Sequence, residues 1–503
     1  MSLSAKWKSL IVDVICLLFI LLFVYAAVNK LLDFENFQVQ IGQSPLLSAY
    51  ASWISWVVVF IEILIAILLI FPQSRRVALW AAFNLMLMFT IYIFIILNYS
   101  SYVPCSCGGI LEKMTWEIHL AFNSIFVVLA ALAILLNQKN GRRSKFAEGV
   151  LMTASVFSSV LIVVALYIIS ERVMHYSNPF TRRYIKTSIQ YVGSKDLKFN
   201  SYYFAGYSGA NIYLGNSTAP LRIIGIDTAC IIRGDFMIGF KDTNIPFKAV
   251  RINIQDKYFY LGDGTVPCLY RGKISEWKTD VEFREVPRFS TMQPMDSSSF
   301  VLRNNTGKNG SNIIGTYSTG NKSEINYAPN LLQSQLDGIF DTDGTLLYNE
   351  QLKSIVYVYY YRNEFITADR NGRIVRIGNT IDTTSKAKIK VATLKEGKQR
   401  KMAAPPLVVN ARICTQGKYL FVQSNIRGFY ESDSIWNTAA VIDVYNLKDN
   451  TYILSFPIFG LHNGAFKSFA VSGTHLYAIF DSTLMVFRLK GVIKEEMNDY
   501  AKQ

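Results

Sequence analysis

Cysteine, histidine and charged side chains are all scarce in this chain. Its 503 residues contain six cysteines and four histidines, and only 17% of the residues are Asp, Glu, Lys or Arg. Six cysteines are too few for a disulfide scaffold in a chain of this length. A low charge content beside 51% hydrophobic residues is typical of a protein with a large membrane portion. Because the chain is too long for a single core, we expect two or more domains.

Several motifs that mark processed or catalytic chains are also missing. The first apolar run has no small-residue cleavage site, so we interpret it as an uncleaved anchor. No Cys-x-x-Cys motif of the thioredoxin kind occurs, so electrons from any thiol oxidation in this chain would have to pass to a separate protein. His462 and His475 have no matching nucleophile or carboxylate pattern. The second part of the chain therefore gives no sign of an enzyme.

The basic residues favour a membrane surface over nucleic acid. The net charge is +15, but Lys and Arg are scattered singly apart from the loop 386–401. A scattered basic surface suits anionic lipid headgroups or an acidic partner. We therefore predict no nucleic-acid partner.

Five long apolar runs in the first third predict membrane-spanning helices. They cover about Leu10–Val28, Ile54–Phe71, Val77–Leu97, Trp116–Leu136 and Val150–Ile169. Most basic residues of this part lie at the N-terminus, at the turn after the second run and in the loop after the fourth, all on one side if the helices alternate. The positive-inside rule makes that side the cytoplasm. The C-terminal part then lies outside, in the periplasm of a bacterium with two membranes.

The remaining roughly 300 residues predict short strands joined by tight turns. Aromatic and β-branched runs alternate with turns such as Gln416-Gly417-Lys418 and Ser472-Gly473-Thr474. Units of about 45 to 55 residues suggest a β-propeller of five to seven blades, most plausibly six. A double β-sandwich is the alternative.

The fold class is therefore multi-domain, with a polytopic helical bundle (four helices plus a fifth) followed by a β-propeller. We place the four-helix bundle at residues 1–140 and the fifth helix with a juxtamembrane linker at 141–195. The propeller follows at 196–490 and a tail at 491–503.

The segment Pro104-Cys105-Ser106-Cys107-Gly108-Gly109 holds the only close pair of cysteines. It falls between two apolar runs on the predicted outer side, where an oxidising compartment permits disulfides. A bond between cysteines one residue apart is near the limit of disulfide geometry, so it would exchange easily. Cys105 and Cys107 are our candidate catalytic residues. A structural dithiol and a copper(I) site with the nearby Met114 are the alternatives.

A charged residue inside a membrane span is costly, and Glu62 lies in the middle of the second run. We expect its carboxyl to find polar partners on other helices, and a cluster of this kind could relay the protons that thiol oxidation releases. The alternative is a purely structural hydrogen-bonded knot. The predicted supporting cluster is Glu62, Asn84, His119 and Asn123.

Two other charged residues and one acidic motif are predicted to be structural. Asp13 and Lys30 lie near opposite ends of the first run and are expected to reach the membrane interfaces. Asp341-Thr342-Asp343-Gly344 looks like the start of a calcium loop, but the other ligands of an EF-hand are missing. We therefore predict no metal site.

The first 140 residues resemble the MauE branch of the DoxX-like membrane proteins. The resemblance rests on Asn29-Lys30-Leu31, the helix with Glu62, the cysteine loop, and Trp116 with Asn123. It implies a four-helix bundle associated with disulfide formation outside the cytoplasm, beside a thioredoxin-like partner. The C-terminal part is similar, in pattern only, to six-bladed TolB-like propellers, and such an analogy does not license a function.

These observations predict an inner-membrane protein with a thiol–disulfide redox role at Cys105 and Cys107. The expected partners are the lipid bilayer, a thioredoxin-like periplasmic protein, and a protein or peptide client on the propeller. We predict no cofactor; a quinone and copper are the alternatives. The competing hypothesis is a non-enzymatic, membrane-anchored propeller that binds a peptide, glycan or envelope protein.

Overall fold

The computed structural model describes most of the chain, in two compact units. The described residues are 5–34, 37–38, 41, 44, 47, 50–99, 115–137, 145–176, 178–184, 188–240, 245–319, 323–394, 399–429, 431, 433–461, 464–491 and 493. One unit comprises Met1–Arg183 and Gly428–Ser432, and the other Tyr184–Arg427 and Asp433–Gln503. Cys105 and Cys107 lie outside the described residues, as do Met114 and His462.

Five helices of the first unit are long and apolar enough to cross a membrane, which confirms the five predicted spans. They are α1 (Ala5–Leu32), α2 (Ala51–Ile70), α3 (Arg75–Tyr99), α4 (Trp116–Leu136) and α5 (Lys145–Tyr176). Helix α2 ends where Phe71 takes an extended conformation, as expected of the residue before Pro72. Helix α4 begins at an N-cap, because the Ile118 amide donates to Thr115 Oγ1 at 3.4 Å.

Helices α1 to α4 share a core of aromatic and small side chains. Phe19 and Phe23 of α1 are almost fully buried, and Phe19 meets Phe126 of α4 edge-on at 5.2 Å between ring centroids. Ala82 and Ala130 are also fully buried, and small residues let helices approach closely within a membrane. Helix α5 is more peripheral, since only 11% of its apolar window is buried against 44% for α3.

The second unit is built from short antiparallel sheets. Within the described residues, its strand order divides into six groups of four strands. The first group contains β2 (Tyr202–Ser208), β3 (Asn211–Asn216), β4 (Arg222–Ile226) and β5 (Ile232–Met237). The second group contains β6 (Arg251–Gln255), β7 (Tyr258–Gly262), β8 (Cys268–Lys273) and β9 (Lys278–Arg284). The next two contain β10 (Thr291–Pro294), β11 (Ser299–Asn304), β12 (Ile313–Thr319) and β13 (Ser323–Ala328), then β14 (Gly344–Asn349), β15 (Ser354–Tyr359), β16 (Glu364–Ala368) and β17 (Ile374–Asn379). The fifth contains β20 (Asn410–Gln416), β21 (Tyr419–Ser424), β22 (Ala439–Asn446) and β23 (Thr451–Phe459), and the sixth β24 (Phe466–Ser472), β25 (His475–Phe480), β26 (Thr483–Leu489) and β1 (Ile189–Asp196).

Three further elements lie between these strands. They are a short hairpin of β18 (Val391–Leu394) and β19 (Gln399–Met402), a 3₁₀ turn (Lys308–Gly310) and the short helix α6 (Asp433–Thr438).

The repeated four-stranded sheets form a β-propeller, and we interpret each as one blade. Two of its turns need a residue with positive φ: Gly417 joins β20 to β21 at φ 60°, and Gly473 joins β24 to β25 at φ 53°. The first two blades also touch through a short parallel pairing of β2 with β6. There Gly206 leaves no room for a side chain, since an added Cβ would lie 2.0 Å from the Ile254 carbonyl oxygen.

The last blade is closed by the first strand. Strand β1 pairs antiparallel with β26, from Ile189 opposite Leu489 to Asp196 opposite Thr483. The β-sheet part thus begins at Ile189, within the stretch 141–195 that the sequence suggests as helix and linker. Joining the first strand to the last repeat supplies the fourth strand of this sheet, and β1 forms one of its edges.

Candidate functional site

The bundle holds an ion pair between the partly buried Lys30 of α1 and the buried Glu62 of α2. Glu62 is 1% exposed and its Oε1 accepts a hydrogen bond from Lys30 Nζ. The Lys30 ammonium also lies 5.5 Å from the ring centroid of Phe37 and 5.9 Å from that of Phe89. Moving two charges out of water costs more than their attraction usually returns, so such a pair is weak evidence for stability. Inside a membrane span it points instead to a functional site.

Two buried polar atoms beside this pair have no hydrogen-bond partner among the described residues. They are Glu62 Oε2 and His119 Nδ1. His119 is 9% exposed on α4, and Asn123, one turn further along, is 3% exposed. A buried polar atom without a partner is rare and costs about 1 to 3 kcal/mol. The site therefore keeps hydrogen-bonding capacity that the fold does not use.

These side chains line a cavity of about 320 Å³ within the first unit. All five membrane helices contribute to its wall, which is mainly aliphatic and aromatic. The indole of Trp116 lies against the His119 imidazole, with 6.2 Å between ring centroids. The polar members of the wall are Asn29, Lys30, Glu62, His119 and Asn123. We call these five residues the polar site.

The structure brings together three of the four residues of the predicted cluster. Glu62, His119 and Asn123 all line the cavity, whereas Asn84 is not part of its wall. Asn84 Oδ1 accepts hydrogen bonds from Ser155 Oγ at 2.6 Å and Ser159 Oγ at 3.2 Å. Asn84 therefore links α3 to α5, because Ser155 and Ser159 belong to α5.

Asn29 and Lys30 are the members of the polar site that sequence reasoning missed, and Lys30 is the charged one. Its position near the end of the first run suggested an interfacial side chain, but it points to Glu62. The other residue expected at an interface, Asp13, pairs with Arg75 Nη1 at 2.6 Å. The signal that could have identified Lys30 was the need of Glu62 for a cation on a neighbouring helix.

The described cysteines form no disulfide and show no close pair. Cys16, Cys230 and Cys268 are buried, and Cys414 is partly buried. Burial raises the pKa of the Cys230 thiol to about 11 and also raises the pKa of Cys414. A thiol with a raised pKa is a poor nucleophile. The candidate exchange site therefore remains the predicted pair, Cys105 and Cys107.

The Asp341 motif serves the propeller backbone. Asp341 accepts hydrogen bonds from the amide of Gln335, from that of Leu336 at 2.7 Å and from that of Gly338 at 2.6 Å. Among the described residues, no group of three or more His, Cys, Asp or Glu side chains could hold a metal ion. The Asp341 carboxylate therefore holds a turn of the propeller.

A comparison with protein families finds a match for the membrane part. Residues 8–136 match the family model "Methylamine utilisation protein MauE". The four-helix bundle is similar to MauE. The match to MauE ends with α4, so α5 and the propeller lie outside it. No curated protein matches the chain.

Solved structures similar to this chain include three of low sequence identity. A member of the duf4221 family from Bacteroides vulgatus is 14% identical, and the match covers 61% of this chain and 100% of that one with a TM-score of 0.39. BamB from Moraxella catarrhalis is 12% identical, with coverages of 57% and 85% and a TM-score of 0.30. The Swd1 β-propeller domain from Myceliophteria thermophila is 7% identical, with coverages of 59% and 100% and a TM-score of 0.34. TM-scores this low carry no argument, so the propeller assignment depends on the strand pairing.

Proposed function

We propose that this protein is a membrane thiol–disulfide exchange protein of the inner membrane. Cys105 and Cys107 cycle between dithiol and disulfide on the periplasmic side, and the propeller on that side recruits the client or a thioredoxin-like partner. The observation that carries the proposal is the polar site, in which Glu62 Oε2 and His119 Nδ1 are buried beside a cavity with no partner among the described residues. The match of the surrounding helices to MauE supports it.

The chemistry assigned to the pair balances through exchange. A thiolate of one cysteine attacks a partner's disulfide, and the second cysteine then releases the partner as a dithiol. In this direction two S–H bonds are lost and one S–S bond forms in this protein, while the partner's disulfide gains two electrons and two protons. The reverse exchange with a dithiol client, whose two S–H bonds are lost as its own disulfide forms, returns Cys105 and Cys107 to the dithiol. Because the thiolate is the nucleophile, each sulfur must first lose its proton. The Glu62 carboxylate and the His119 imidazole are groups of the bundle that can accept and pass on such protons.

Mass-shift alkylation in cells tests this proposal. Cells are treated with diamide or dithiothreitol, quenched with acid, and labelled with a maleimide that adds a fixed mass to each thiol. The full-length protein should carry two more labels after reduction than after oxidation. Cys16→Ser should keep that difference, because Cys16 is buried in α1.

The double variant Cys105→Ser/Cys107→Ser should lose the difference. If the wild-type protein carries the same number of labels under both treatments, the exchange function is contradicted.

The competing proposal is a membrane-anchored propeller that binds a peptide, a glycan or an envelope protein without redox chemistry. Its support is the described propeller, in which the Asp341 motif caps a turn. This proposal predicts that the double serine variant behaves as wild type in cells, while loss of the propeller abolishes function. A growth or envelope-stress assay on the two variants separates the proposals.

A further inference from the structure

We propose that the cavity of the bundle binds a lipid-soluble quinone, with the quinone ring at the polar site. The proposed binding rests on the position, the lining and the charges of the cavity, and it does not depend on the exchange function. The use of the quinone as electron acceptor rests on the proposed exchange function.

The position of the cavity selects a ligand that arrives through the lipid. The cavity lies between helices that are long and apolar enough to span a membrane. Its wall includes Tyr25 of α1 and Val57 of α2, which are 40% and 46% exposed on the outer surface of the bundle. The cavity therefore reaches the surface that faces lipid, where a hydrophobic ligand can enter.

The wall selects a ligand that is mostly apolar with one polar end. Aliphatic and aromatic side chains make up most of the lining, and the polar site supplies the rest. Small-molecule sites commonly combine an apolar wall with a few polar groups that fix orientation. A volume of about 320 Å³ suits a substituted ring with the first part of its tail, and the tail can leave where Tyr25 and Val57 are exposed.

The charges select a neutral hydrogen-bond acceptor for that polar end. The Lys30 ammonium has three donors, and the described hydrogen bond to Glu62 uses one. The carboxylate of Glu62 beside it disfavours a second anion such as a fatty acid. The Asn123 amide and the N–H group of the His119 imidazole offer further donors. A carbonyl oxygen satisfies these groups without adding charge.

The chemistry of the polar site also suits a ligand that takes up protons. A quinone that gains two electrons needs two protons on its oxygens, and Glu62 and His119 can both carry protons. With the exchange function, the balanced step is the loss of two S–H bonds from Cys105 and Cys107 and the formation of their S–S bond. The two electrons and two protons convert the quinone carbonyls to the two hydroxyl groups of the quinol.

Binding of decylubiquinone to the purified full-length protein tests the inference. Retention of radiolabelled decylubiquinone is compared with that of decylbenzene, which lacks the carbonyls, and of decanoic acid, which carries a charge. Decylubiquinone should bind at least about tenfold more tightly than either, as expected for charge-assisted hydrogen bonds in a buried site.

Matched variants link this binding to the polar site. Lys30→Met/Glu62→Gln removes the ion pair without leaving a lone buried charge, and it should weaken binding by about tenfold or more. Arg76→Met/Glu148→Gln removes a second ion pair, in which Glu148 is also fully buried but which is not part of the cavity wall. This control should bind like wild type.

Three results would overturn the quinone site: equal retention of decylbenzene, tighter binding of decanoic acid, or unchanged binding in the Lys30→Met/Glu62→Gln variant. The variant Cys105→Ser/Cys107→Ser separates this inference from the exchange function. It should still bind decylubiquinone but should not reduce it under anaerobic conditions. Binding without any thiol cycling in the wild type would reject the exchange function alone, and thiol cycling without binding would reject the quinone site alone.

Discussion

Asp263 in the propeller and Glu62 in the bundle are both buried carboxylates, 2% and 1% exposed, but their surroundings differ. Asp263 accepts hydrogen bonds from the amides of Lys248, Ala249 and Thr265 at 2.5, 2.6 and 2.9 Å. Glu62 has Lys30 on one oxygen and no described partner on the other. The propeller uses this carboxylate to hold a loop, whereas the bundle keeps unused hydrogen-bonding capacity beside a cavity.

Glu148 shows that an incomplete ion pair alone does not define a site. It is fully buried, pairs through Oε1 with Arg76, and has no described partner for Oε2. It nevertheless lies outside the cavity wall. The cavity is therefore what distinguishes Glu62, and Glu148 is the natural control for it.

The largest expected effect comes from removing only the cation of the polar site. Lys30→Ala leaves Glu62 as an uncompensated buried charge and should lower the free energy of unfolding by about 3 to 5 kcal/mol. Urea unfolding of the full-length protein in detergent, followed by the helical signal in circular dichroism, measures this change. Adding Glu62→Gln to Lys30→Ala should restore most of the loss. If it restores nothing, the loss does not come from an uncompensated charge on Glu62.

A smaller effect is expected at Tyr357 of the propeller, whose hydroxyl group has two partners. Tyr357 Oη donates to the Thr342 carbonyl at 2.6 Å and accepts from Arg303 Nη1 at 2.9 Å. Tyr357→Phe takes this donor from the buried Thr342 carbonyl, while Arg303 Nη1 keeps Asp343 and the Gly344 carbonyl. The change should cost about 1 to 3 kcal/mol. The midpoint of urea unfolding, followed by the β-sheet signal, gives the value. Tyr360→Phe, whose hydroxyl is only partly buried, is the control and should cost less.

Acid should weaken the propeller through Asp263. Burial alone would raise the pKa of this carboxyl, but its hydrogen bonds outweigh burial and lower the pKa to about 2. The stabilising contribution is thus present above about pH 4, the ordinary pKa of Asp, and is lost as the pH falls toward 2. Asp263→Asn should melt a few degrees lower than wild type at pH 7.

The same variant should show a smaller further drop between pH 4 and pH 2 than the wild type does. Melting curves of the full-length protein at these three pH values provide the measurement. Parallel pH profiles for the two proteins would show that Asp263 does not contribute to acid sensitivity.

The smallest effect is expected for an exposed ion pair of the bundle. Asp13 pairs with Arg75, and its side chain is 49% exposed. Exposed pairs contribute about 0 to 1 kcal/mol, so Asp13→Asn should fall within that range. A loss as large as that of Lys30→Ala in the same unfolding assay would remove the distinction between the two pairs.

The sequence predicts those parts of the fold whose pattern lies within one short stretch of the chain. It does not predict contacts between distant stretches. The five spans follow from apolar runs, and Glu62 is conspicuous because no other charge lies near it in sequence. The partnership with Lys30 was not predictable, because it depends on how deeply α1 and α2 overlap. Likewise, the sequence shows that Asn84 is a polar residue within an apolar run, but it does not show that Asn84 faces Ser155.

The closing strand of the propeller is a second case of a non-local contact. The segment Ile189–Asp196 has few apolar residues, so its own pattern suggests a linker. Its partner β26 lies at the other end of the propeller sequence. Repeated strand patterns indicate a propeller, but they do not show which strand completes the last blade.

The most direct test of the account is the rate at which Cys105 and Cys107 reoxidise after reduction. Reoxidation in membranes containing the full-length protein is followed by mass-shift alkylation for wild type, Glu62→Gln and Glu148→Gln. If the polar site handles the protons of thiol oxidation, Glu62→Gln should slow reoxidation by about 10²-fold, the lower end for general acid–base catalysis, and Glu148→Gln should keep the wild-type rate. Equal rates in all three proteins would contradict a role for the polar site in the redox chemistry.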